Sequence, residues 1–106
     1  MAHPANETII GRHIGTFHVS RKLIEQFGPE LATFFGEQQI IPVRAECLFH
    51  CDAVEYTAYG VNFEPVPMGR MPYHYVLDVV TEDVADLDDP FKHHTTIKSM
   101  SFRRFN

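Results

Sequence analysis

Between Leu23 and Phe35 the apolar residues recur at helical spacing. Leu23, Ile24, Phe27, Leu31, Phe34 and Phe35 all fall on one stripe of a 3.6-residue helix. Ser20 precedes the stripe as a good N-cap, its hydroxyl able to accept an otherwise orphaned backbone N–H, with Val19 and Ile24 at the hydrophobic-staple positions. Gly28-Pro29 interrupts the pattern, because proline lacks a donor and crowds the preceding turn. The stripe keeps its phase across Pro29, which predicts one kinked helix rather than two. Gly36 is the expected terminus, as a left-handed residue just past the last turn.

After Gly36 the period changes to two. Val43, Ala45, Cys47, Phe49 and Cys51 alternate with Arg44, Glu46, Leu48 and His50, and Val54, Tyr56 and Ala58 alternate with Glu55, Thr57 and Tyr59. A turn at Asp52 joins these two strands into a hairpin, and Gly60 is read as a bulge because Val61 and Phe63 fall on the opposite phase. Thr8 to Val19 has strand propensity, through Ile9, Ile10, Ile14, Phe17 and Val19, despite Gly11 and Gly15. Residues 64–72, with three prolines and a glycine, form a stiff loop. Tyr73 to Thr81 and Thr95 to Phe105 complete the strands, with the acidic stretch 82–90 as a solvated turn between them.

The resulting order, β-α-β-β-β-β, predicts an α+β domain in which one helix packs on a curled antiparallel sheet. In element order alone it resembles the cystatin or monellin arrangement. The inhibitory cystatin pattern Gln-x-Val-x-Gly is missing, since Gln38-Gln39-Ile40-Ile41-Pro42 does not supply it, so no function follows from the likeness.

Composition adds bounds. At 106 residues one core is expected, and nine Phe and four Tyr supply large surfaces to fill it. Residues 1–7 read as a loose arm and 8–106 as the single domain. No apolar run approaches the ~20 residues that cross a bilayer, and the start Met1-Ala2-His3-Pro4 lacks the basic and apolar character of a secretory signal, so the expected setting is the cytoplasm, without a membrane partner. The net charge of −5 argues against general nucleic-acid binding, which needs a basic surface to release counterions. The charge is unevenly placed: Glu82, Asp83, Asp86, Asp88 and Asp89 are followed by Lys92, Lys98, Arg103 and Arg104.

Cys47, His50 and Cys51 invite a zinc reading, but extended spacing opposes it. Four residues at ~3.3 Å separate the two thiols by about 13 Å, beyond disulfide reach as well, and His50 points to the opposite face. The expectation is two buried, reduced cysteines, which also disfavours a thiolate nucleophile. Seven histidines are scattered, none at the i, i+4 spacing of a zinc protease. No metal and no cofactor is expected. The acidic run lacks the spacing of an EF-hand.

Two groups of residues remain as candidate sites. In the tail, His94, Lys98, Arg103 and Arg104, with Tyr73 and Tyr75, are the kinds of group that hold a phosphate and stack a base, although no Gly-rich phosphate loop accompanies them. Met68, Arg70 and Met71 lie on the Pro-rich segment and offer apolar groups to a protein partner. A last strand at a sheet edge would also let a second copy add on, so a homo-oligomer is expected. The leading expectation is a non-enzymatic binding protein that engages another protein or sequesters a small anionic, phosphate- or nucleotide-like ligand, as an inhibitor would. One rival is a small enzyme with His13, His74 or His94 as acid or base and Arg103 or Arg104 holding an anion in the concave face of the sheet. The other is a structural subunit of a larger assembly.

Overall fold

The structure is a computed structural model and describes residues 12–105. The proposed arm at 1–7 and the start of the first strand, 8–11, lie outside those residues. Among them the elements are β1 (Arg12–Ser20), α1 (Arg21–Glu37), β2 (Ile41–Leu48), β3 (Ala53–Tyr59), β4 (Pro65–Val66), β5 (Tyr73–Ala85) and β6 (His93–Arg104). One helix packs on one face of an open, six-stranded mixed sheet, so the α+β expectation holds.

The helix forms as its residues dictate. Ser20 Oγ accepts from the Leu23 N–H at 3.1 Å, and Pro29 is accommodated by a kink at Phe27, whose backbone leaves the helical region (φ −130°, ψ 33°). Its end differs from expectation. Gly36 stays helical, and Gln39 takes the left-handed conformation at φ 54°. The Gln39 N–H then bonds Gly36 O at 3.1 Å and the Ile40 N–H bonds Phe35 O at 2.8 Å, a Schellman arrangement that brings Ile40 back into the core.

The sheet runs β2-β3-β1-β5-β6. β1 is therefore central, antiparallel to β3 and parallel to β5 through Gly15–Tyr73, Thr16–His74 and Phe17–Tyr75. That single parallel pair makes the sheet mixed where a purely antiparallel one was expected. The Pro-rich stretch is also not all loop: Pro65–Val66 pairs with Arg12–His13, and Val66 is buried.

Phe17 on β1 is the centre of the core. Its ring meets those of Phe35, Tyr56, Phe63 and Phe102 at centroid distances of 4.8–6.2 Å, while Leu31, Phe34 and Val19 close around them. Gly15 and Gly60 serve this packing: a Cβ at Gly15 would lie 2.7 Å from the Tyr75 ring, and one at Gly60 would lie 2.7 Å from Ile40 Cδ1. Gly60 thus provides space for the core rather than a strand bulge.

α1 lies over β1 and β6 and leaves β2 uncovered. This corrects the expectation for the cysteines. Cys47 is on the helix-side phase of β2, but among the described residues no element reaches across to cover it, and β2 ends at Leu48, leaving Phe49 and Cys51 in the turn; both thiols are exposed.

Candidate functional site

The most distinctive feature of the molecule is the β5–β6 hairpin. Its two strands stay paired from Tyr75–Arg104 out to Ala85–His93, with a bulge at Lys98. The acidic residues 82–85 are strand, not turn. At about 3.3 Å per residue, a strand of 13 residues reaches ~43 Å, far beyond the body it starts from. The described residues accordingly measure 67 × 30 × 22 Å, and their radius of gyration of 17.3 Å exceeds the ~13 Å of a compact domain of this length.

The base of the hairpin is anchored. Tyr75, Leu77, Met100 and Phe102 face α1, and Ile97 approaches Pro29 and Thr33 on the helix. Beyond Ile97 none of the described residues covers the ribbon: Thr81 to Ala85 and His93 to Thr95 are exposed on both faces. The arm is held by its own cross-strand bonds. Thr95 Oγ1 donates to Asp83 at 2.9 Å, His94 Nδ1 lies 2.6 Å from Asp86, and the tip is closed by Asp86 N–H to Lys92 O and by Phe91 N–H to the Asp89 carboxylate. At the tip Leu87 and Phe91 stand in solvent, 104% and 92% exposed, in an acidic surround.

The tail residues singled out from sequence do not converge. His94 is on the arm, bonded to Asp86. Lys98 is exposed at the bulge. Arg103 lies on the sheet face away from α1 and pairs with Asp78 at 2.8 Å. Arg104, on the other face, pairs with Glu64 at 3.0 Å and caps the Tyr73 ring at 3.8 Å. Tyr75 is a core residue, stacked on Phe63 at 4.4 Å with its hydroxyl accepting from the Glu64 N–H at 2.8 Å, so its ring cannot stack a base. Burial pushes its phenol above 10.0, and the carboxylate of Glu64 adds to that, while the Glu64 N–H and Arg104 oppose it. Arg103 and Arg104 are thus each engaged with a carboxylate, His94 is bonded to another, and the two arginines are separated by the sheet.

The histidines of the enzyme reading are equally dispersed. His13 lies 2.6 Å from Phe63 O at one end of β1, His74 lies 2.6 Å from Thr16 on the uncovered sheet face, and His94 is on the arm. His74 does line an open cleft of about 540 Å3 where β1 and β5 part, together with His18, Glu55, Val76 and Phe105. His18 bonds Glu55 there at 2.9 Å. Sequence reasoning had no signal for this pair, because His18 and Glu55 meet only through the β1–β3 register. Met68, Arg70 and Met71 are exposed on the loop before β5, and Arg70 and Met71 line a shallow depression with Tyr73. Among the described residues no group of three metal-ligating side chains assembles, and no helix is long and apolar enough to cross a membrane.

Fold and site define a one-helix α+β domain with a projecting β-ribbon. No protein-family model matches the chain, and no match was found among curated proteins or solved structures. The likeness to cystatins and monellin therefore stays one of element order.

Proposed function

We propose that this is a non-enzymatic binding protein that engages another protein through the free end of the β5–β6 arm. The observation that carries the reading is the pair Leu87 and Phe91, held at the tip of a ribbon and packed against none of the described residues. Burying such side chains in a partner is worth ~1.5–3 kcal/mol each, and no contact among the described residues recovers that energy. Glu82, Asp83, Asp86, Asp88 and Asp89 surround them, so the matching surface is an apolar pocket rimmed by Lys and Arg. The internal bonds of the arm present the tip with little ordering left to do on binding.

The test is capture from cells of the source organism with wild-type protein and a Leu87→Ser/Phe91→Ser variant. The expected result is a stoichiometric protein partner held by the wild type and weakened at least ~100-fold in the variant, from the loss of two buried apolar anchors. Equal retention by both proteins would show that the tip is not the docking element.

A further inference from the structure

β2 is an edge strand whose outer side has no neighbour among the described residues, and its residues are exposed on both faces up to Leu48. Edges are commonly guarded against a second copy by charge, by proline or by a bulge. β6, at the opposite edge, follows that rule with Lys98, Arg103 and Arg104 and no acid. β2 is guarded only at its start, by Pro42 and the bulge at Val43, and from Arg44 onward by neither proline nor bulge. It carries one Arg and one Glu on the same face, at Arg44 and Glu46, either side of the small Ala45.

We propose that two copies of the chain pair antiparallel along β2, about a two-fold axis at Ala45. In that register Arg44 of each copy lies directly opposite Glu46 of the other, giving two cross-strand ion pairs that flank Ala45. Slipping the register by one pair either way puts Arg44 against Arg44 or Glu46 against Glu46, so charge selects the register. A second observation points the same way. On its inner side Glu46 is paired directly with Glu55, a like charge already engaged by His18 at 2.9 Å, and its own Arg44 reaches it only at 3.5 Å. An arginine from a second copy would neutralise that acidic pair. The result is one continuous sheet, with the two arms at its far ends.

The test uses the full chain with Cys47→Ser and Cys51→Ser, adding a cysteine at one of three positions. Opposed residues in an antiparallel pair lie ~4.5–5.5 Å apart at Cα, within disulfide range, so Ala45→Cys should cross-link under mild oxidation. Arg44→Cys and Glu46→Cys, off the axis, should cross-link at least ~10-fold more slowly, being beyond the ~7 Å Cα limit. In parallel, Arg44→Glu should weaken self-association about tenfold by light scattering, and Arg44→Glu/Glu46→Arg should restore it. Absence of a cross-link at all three positions, faster linking at 44 or 46, or a double variant no better than Arg44→Glu would overturn the proposal. β2 and the arm are at opposite edges, so the two readings fail separately: the Leu87→Ser/Phe91→Ser variant should self-associate as the wild type does.

Discussion

Among single residues, Tyr75 shows best how position decides role. Its sequence context, between His74 and Val76 in a strand near a basic tail, suits a ligand-stacking aromatic as well as a core residue. The parallel pairing with Phe17 settles the matter, since it turns the ring toward α1 and onto Phe63. A pH dependence follows. Because burial raises the phenol in the folded state above 10.0, both states keep the proton below that value; above it the unfolded chain loses its proton first. Stability is therefore present in full below about pH 10 and falls as pH rises through the folded-state value. Tyr75→Phe removes this term along with one hydrogen bond of about 1 kcal/mol. The urea midpoints of wild type and variant should differ by a constant amount below about pH 10 and converge as pH rises above it; a gap independent of pH would refute the assignment. The cysteines teach the complementary lesson. Alternation placed Cys47 on the correct face, but exposure depends on how far α1 reaches across the sheet, which no local pattern encodes.

At the level of elements, the helix was legible almost to its last residue, because capping, staple and stripe are all local. Its C-terminus was not, since Gly36 offered the usual solution while the chain uses Gln39. A left-handed L-residue costs roughly 1 kcal/mol relative to glycine, so Gln39→Gly should raise the unfolding free energy by about that amount. Chemical denaturation will measure it, and a destabilised variant would mean that the Gln39 side chain supports the turn. β5 was misjudged for a different reason. Acidic residues are poor strand formers in general, yet residues 82–85 are exposed, and the Asp83 and Asp86 carboxylates are bonded across the ribbon to Thr95 and His94. The alternation needed to see this was too short and too polar to separate from a turn.

For the whole molecule, neither the sheet order nor the projection of the arm could be read from the chain. β1 lies between β3 and β5 through pairings of distant residues, and only that arrangement puts β2 and β6 at the two edges. The body is complete by Ile97, where the last arm residue approaches the helix. What extends beyond it contributes surface and charge without core. The proposed docking role makes the body a frame that folds without the arm, and shortening the arm separates the two. Replacing residues 83–95 with Asn-Gly closes the remaining strands with a two-residue type I′ turn. Urea unfolding of this shortened protein is the decisive measurement. The account predicts a cooperative transition with a free energy within ~0.5 kcal/mol of wild type, as for changes at sites that bury nothing. A loss of several kcal/mol, or of cooperativity, would show that the arm belongs to the fold and contradict its role as a docking element.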